Sequence, residues 1–174
     1  MRRRARIRSF APIANRNARI LILGSMPGKE SLRKGQYYAF KQNAFWRIII
    51  ELLQLDASTT YRGRIRALKS SRIAVWDVLE SCVREGSSDT TIESEVANDF
   101  RKFFRDHRRI AQVFFNGAMA QTSFRRHVLA HLDASVQYAR LPSTSPANAT
   151  LSFKRKLEAW RVILGTVRTQ RSRK

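Results

Sequence analysis

Four short apolar runs, each ending in small or turn-forming residues, limit what this chain can fold into more than any other feature. They lie at 19–23, 72–76, 111–115 and 136–141. Each is rich in β-branched or aromatic residues and bounded by turn signals, which predicts a buried strand. Helical patterns fill the gaps. Residues 43–55 carry apolar side chains on one face, and 60–69 make a basic helix. Residues 91–107 set Ile92, Val96, Phe100, Phe103 and Phe104 against a charged face, and 118–132 and 151–167 complete the set. Strands alternating with helices predict βαβ units and a sheet covered on both faces. The expected class is α/β: a three-layer α/β/α sandwich around a central, mainly parallel four-stranded sheet. A chain of 174 residues suffices for one such domain and its core. The expected division is a basic N-terminal arm over 1–18, one domain over 19–167 and a basic tail over 168–174.

Charge narrows the partners. Against 13 Asp and Glu stand 34 Lys and Arg, a formal net charge of +21. Such a surface attracts polyanions at long range and releases counterions from a phosphate backbone on binding. Acidic membranes would attract it as well, but a small anionic metabolite becomes a weaker candidate than nucleic acid. No apolar run approaches the length of a membrane span, and the arginine-rich start is followed by no apolar stretch of the kind a signal peptide carries. An intracellular, non-secreted protein of the cytoplasm or nucleoid is expected, with no membrane partner, as a monomer.

Cys82 is the only cysteine, which excludes an internal disulfide and a cysteine-built zinc or iron–sulfur site. His107, His127 and His131 are too few and too badly spaced for a metal centre and read as surface residues. No metal and no cofactor are expected.

In an open parallel sheet, ligands bind at the carboxyl ends of the strands. Here those ends are Gly24-Ser25-Met26-Pro27-Gly28, Asp77-Val78, Asn116-Gly117 and Leu141-Pro142-Ser143-Thr144-Ser145-Pro146. One such turn means nothing, because βα turns favour these residue types anyway. Four along one edge make a site. The densest part is 24–46. Gly24 and Gly28 let the backbone approach a flat ligand and present amide donors. Tyr37, Tyr38, Phe40, Phe45 and Trp46 offer aromatic faces such as base-extruding enzymes need. Core packing accounts for Phe45 and Trp46 about as well, and for the Tyr37–Tyr38 pair less well.

The ordered series Gly24-Ser25-Met26-Pro27-Gly28, Gln36-Tyr37-Tyr38-Ala39 and Asn43-Ala44-Phe45-Trp46 resembles the first motif of the uracil-DNA glycosylase superfamily. It is most similar to the hypoxanthine-DNA (deoxyinosine) and mismatch-specific thymine/uracil branches. The likeness continues through Trp76-Asp77-Val78-Leu79, Ser81-Cys82, Arg84-Glu85-Gly86-Ser87 with Asp89, Asn116-Gly117 and 141–147, and spans about residues 19–164. The series is specific, although any single piece is weak.

The resemblance implies a doubly wound sandwich and hydrolysis of an N-glycosidic bond by water. It implies base contacts from Gly24, Ser25, Met26, Pro27, Gly28, Tyr38, Phe45 and Asn116, with Tyr38 stacking on the flipped base. It implies a DNA-wedge loop of Pro142, Ser143, Thr144, Ser145, Pro146, Ala147 and Asn148, whose hydroxyls and amides would touch phosphates. Relatives place Asp or Asn where this chain has Met26, and several place His where it has Leu141. Water placement therefore falls elsewhere, first to Asn43, whose amide can hold water while its other end is fixed by backbone. Asp77 comes second, as a carboxylate that orients water, stabilises the cationic sugar or bonds the base; a structural cap is the alternative. For Asn116, reading the base and shaping the turn before Gly117 stand even.

The expected activity is a monofunctional DNA N-glycosylase of base excision repair. It would flip a deaminated base out of double-stranded DNA, with single strands also admitted, and leave an abasic site. Close relatives read His-Pro where this chain has Phe40-Lys41, which places uracil slightly ahead of hypoxanthine. The competing expectation is a non-catalytic lesion-binding protein on the same fold.

Overall fold

The computed structural model describes residues 6–88, 91–132 and 135–169. The expectations for 1–5, Asp89 and 170–174 lie outside these residues. In chain order the elements are β1 (Arg6–Arg8), β2 (Ile20–Gly24), α1 (Lys29–Lys34), α2 (Phe45–Leu53), α3 (Tyr61–Ser70), β3 (Ile73–Asp77), β4 (Leu79–Arg84), β5 (Ile92–Ala97), α4 (Phe100–Asp106), β6 (Gln112–Asn116), α5 (Ala118–His127), β7 (Gln137–Leu141), α6 (Phe153–Trp160) and α7 (Val162–Thr169).

The four expected strands are present and form one parallel sheet in the order β3-β2-β6-β7. Ile20, Leu21, Ile22 and Leu23 of β2 are all fully buried, so side chains on both faces of this strand are covered. Each such burial contributes about 1.5–3 kcal/mol. Aromatic contacts mark the two layers. Phe45 of α2 meets Trp160 of α6, and Trp46 meets Tyr61 of α3. On the other side Trp76 of β3 packs on Phe100 and Phe103 of α4, and Phe115 of β6 on Phe124 of α5. Register sets Gly24 beside Asp77 and Asn116 beside Leu141, so all four strand ends share one rim.

Three expectations are corrected. Residues 91–107 are not one helix. Ile92–Ala97 is β5, the edge of a second, antiparallel sheet ordered β1-β4-β5, and only 100–106 are helical. Ile92 and Val96 stand four apart, which suits a helix, but 92–97 pairs with β4 through two register shifts. Asp99 then starts α4 by accepting from Lys102 N at 2.9 Å. Glu95 points from β5 to α5, where Ser123, Arg126 and His127 bond its carboxylate at 3.1, 3.4 and 2.8 Å. His127 is therefore a half-buried partner of Glu95 rather than a plain surface residue.

The third correction concerns the arm. Within 6–18 the chain is built into the domain. Arg6, Ile7 and Arg8 pair with Val83, Cys82 and Ser81, and Ile13 exchanges two 2.9 Å backbone bonds with Val75. The arginines' charge concealed an ordinary edge strand whose Ile7 packs against the core. No helix among the described residues is long and apolar enough to cross a membrane.

Candidate active site at the strand ends

The site is organised around the bare Cα of Gly24. A Cβ placed there would lie 2.5 Å from Asp77 Oδ1 and 2.9 Å from Tyr38 Oη. The carboxylate and the phenol thus converge over the last residue of β2, where only glycine leaves room. Asp77 is 3% exposed, and its backbone oxygen accepts from Asn98 Nδ2 at 2.9 Å. The turn after it is sewn to the first loop: Val78 N donates to Gly24 O at 2.8 Å and Leu79 N to Ser25 O at 3.2 Å.

Tyr38 has φ +52, the left-handed region that a bulky residue seldom enters. Both peptide groups flanking it are clamped by side chains. Trp46 Nε1 donates to Tyr37 O at 2.7 Å, and Ala39 N donates to Ser31 Oγ at 3.1 Å. Such over-determination is what lets a strained conformation persist. It lays the Tyr38 ring parallel on Phe45, with centroids 3.9 Å apart. Phe45, expected among the base contacts, is wholly buried beneath Tyr38 and presents no surface to a ligand. Tyr37 is buried too, its hydroxyl donating to Ala11 O at 3.1 Å. Desolvation, aided by the Asp77 charge, drives its phenol far above the ordinary range.

The Gly24–Gly28 turn supplies backbone rather than side chains. The Met26 side chain packs into the hydrophobic core, so at that position the turn presents backbone. Ser25 and Pro27 are buried. The Pro27 carbonyl accepts from the guanidinium of Arg84, a buried residue of β4. Beyond Gly28, Lys29 N donates to Ser87 Oγ at 2.9 Å. The segment 84–87 therefore holds this turn from outside.

Asn43 is half-buried between Tyr38 and α2, and its Oδ1 accepts from Phe45 N at 2.9 Å. One end of the amide is fixed by backbone, and Nδ2 is the end left to meet a ligand or water. The next residue carries the link to the opposite side of the rim, where Ala44 N donates to Thr144 O at 2.9 Å.

Asn116 does not shape the turn itself; the positive φ of +97 belongs to Gly117, whose missing Cβ admits Ser143. Instead the Asn116 amide bonds Thr144 twice, Nδ2 to Oγ1 and Oδ1 from N, each at 2.9 Å. The loop 142–148 is held further by Trp160 Nε1 on Pro142 O at 3.0 Å and Lys156 Nζ on Ser145 O at 3.3 Å. Burial lowers the Lys156 ammonium's pKa. Thr144 is fully buried, while Pro146 and Ala147 stand exposed at the tip.

Sequence reasoning brought Gly24, Tyr38, Asn43, Asp77, Asn116 and the 142–148 loop to one rim. It missed the supports Ser31, Arg84, Asn98 and Lys156. Arg84 and Ser87 carried a signal, lying inside a stretch already singled out; Ser31 and Asn98 carried none.

A parallel sheet covered by helices on both faces, with a carboxylate, an aromatic ring and amides at the carboxyl ends of its strands, defines an α/β sandwich whose candidate site lies on that rim. The family model of the uracil DNA glycosylase superfamily matches residues 11–164, and the chain belongs to that superfamily. It is a DNA glycosylase, and its substrate is DNA. It is 41% identical over 109 residues to the hypoxanthine DNA glycosylase of Methanosarcina barkeri, covering 62% of this chain and 69% of that protein. It is 34% identical over 157 residues to the hypoxanthine DNA glycosylase of Methanosarcina acetivorans, covering 90% and 96%. A solution NMR structure from M. acetivorans, described as a candidate uracil DNA glycosylase, superposes with a TM-score of 0.74 at 31% identity over 91% of this chain and 99% of that one.

Proposed function

We propose that this glycosylase excises a deaminated base, hypoxanthine first and uracil second, after flipping it to the strand-end rim beside Gly24. The observation that carries the reading is the convergence of Tyr38 and Asp77 on that one residue. The sequence alone placed uracil ahead. The names of the two Methanosarcina relatives, one of them matched over nearly its whole length, support the reverse order.

In the proposed reaction the flipped base lies against the Tyr38 ring, whose other face is backed by Phe45. Base–aromatic stacking is worth about 1–3 kcal/mol where measured on single strands. Asn43 Nδ2 donates to a water and holds it without taking its proton. The Asp77 carboxylate accepts from that water and offsets the positive charge that gathers on the sugar. The bond from C1′ to the base nitrogen breaks with its electron pair on the base, water adds at C1′, and its proton passes to solvent or the carboxylate. Backbone amides of the 24–28 loop meet the departing anion, since the N–H groups of Thr144, Ser145 and Ala147 across the rim are taken by Asn116, Ser143 and Ser145. The exposed tip of 142–148 fills the gap in the duplex.

Single-lesion duplexes carrying hypoxanthine, uracil or thymine opposite each normal base test the order. Alkali-labile breaks should form fastest at hypoxanthine. Faster breakage at uracil would reverse the ranking, and tight lesion binding without any break would favour the non-catalytic binder.

A further inference from the structure

The far edge of the parallel sheet carries four arginines for which the catalytic reading has no use. Arg16 and Asn17 precede β2, and 105–109 run from the last turn of α4 toward β6. Ile20 and Gln112 are register partners, so the two segments meet at the amino ends of the central strands. One strand length, about 16 Å at 3.3 Å per residue, separates them from the Gly24 rim. A cleft of about 810 Å³ lies between, lined by Arg16, Asn17, Arg105, His107, Arg108 and Arg109, with Asp106.

Two of the four guanidiniums are held in place. Arg109 Nη1 donates to Asn17 Oδ1 at 2.9 Å, which joins the two segments, and Arg108 Nε donates to Arg105 O at 3.3 Å. Asp106 turns to Lys102, whose ammonium lies 2.5 Å from Oδ2. Among the described residues, no carboxylate lies within ion-pair distance of the four guanidiniums. Attraction to the carboxyl end of α4 explains Arg105 and His107. Arg16, Arg108 and Arg109 lie outside any helix, and that dipole does not account for them.

We infer that this cleft is a second polyphosphate site, which grips a DNA duplex other than the one presented to the strand ends. A duplex whose flipped base enters over Gly24 lies across the carboxyl rim, and reaches the opposite edge only by bending around the whole domain. Planar guanidiniums with unspent donors match phosphate oxygens and read no sequence. The protein thereby bridges two segments and passes between them without full release. The inference rests on the chain's acting on DNA, but not on which base it removes.

The test uses the full chain with two short duplexes, one fluorescent and lesion-bearing, one biotinylated and undamaged. Wild type should capture the fluorescent duplex on the biotinylated one. Four phosphate contacts make that capture fall roughly 150-fold between 50 and 200 mM salt. A variant with Arg16, Arg105, Arg108 and Arg109 all changed to Ser should lose capture yet excise from the first duplex within twofold of wild type. A control with Arg2, Arg3 and Arg4 changed to Ser should still bridge. Absence of bridging in wild type, equal bridging by the fourfold variant, or its loss in the control overturns the inference. Phosphatidylserine vesicles that outcompete DNA for the cleft overturn it in favour of a membrane surface. A protein that bridges without excising any base leaves this inference standing and sinks the catalytic one.

Discussion

The side chain of Asn116 and the backbone and hydroxyl of Thr144 form a closed pair, with Nδ2 donating to Oγ1 and N donating to Oδ1, both at 2.9 Å. The pair joins the ends of β6 and β7 and fixes the loop proposed to enter DNA. A residue that the sequence left undecided between reading a base and shaping a turn is thus a brace.

This brace predicts a stability effect. Asn116→Ala leaves Thr144 N and Oγ1 buried without partners, at about 1–3 kcal/mol for each unsatisfied group. In a domain of this size each kcal/mol lowers Tm by about 2–4 °C. Asn116→Asp keeps both contacts, because the threonine hydroxyl can turn and donate, and should lose less. Calorimetry checks the ranking. Unchanged Tm in both variants with an altered choice of base would restore the base-reading role.

Gly24→Ala drives a methyl against Asp77 Oδ1 and Tyr38 Oη at 2.5 and 2.9 Å. Overpacking of this kind costs about 1–3 kcal/mol. Displacing both groups by an ångström should slow single-turnover excision about 100-fold. Gly28→Ala meets only Ser87, at 3.6 Å, an ordinary contact, and should keep wild-type stability. Equal stability and rate for Gly24→Ala and wild type would show that nothing converges there.

Lys156 gives a pH signature. Its folded pKa lies below the unfolded 10.5 because burial disfavours the ammonium. Between the two values the unfolded chain binds more protons than the folded one, so this residue makes stability rise with pH. Below the folded value both forms are charged and the contribution is flat, with the desolvation cost fully present. Lys156→Met should therefore abolish a rise in Tm seen for wild type on the approach to pH 10.5. A wild-type curve parallel to the variant's over that range would mean that the ammonium is not desolvated.

Most of the fold was legible because period and punctuation agreed: 19–23 is short, apolar and closed by glycine, and nothing but a buried strand suits it. Failure came where two periods coincide. Ile92 and Val96 fit either geometry, and only pairing with β4, set by contacts far along the chain, decides between them. Arg6–Arg8 was hidden for a related reason, since edge strands tolerate charge on the open side. At the site, residues on strand ends were readable, because the parallel sheet dictates where ligands go. Their supports were not. Ser31 and Asn98 act by bonding the backbone beside Tyr38 and at Asp77, a role that leaves no pattern in one sequence. That the Met26 and Phe45 side chains turn into the core was not legible, because a motif gives order along the chain but not the direction of a side chain.

Single-turnover excision by Asp77→Asn and Asn43→Ala on a hypoxanthine-containing duplex, with DNA affinity measured in parallel, tests the central claim most directly. The proposed roles of the two groups predict rates about 100-fold below wild type at unchanged affinity, since both act on the water and the sugar rather than on the phosphates. Wild-type rates in both variants would contradict it.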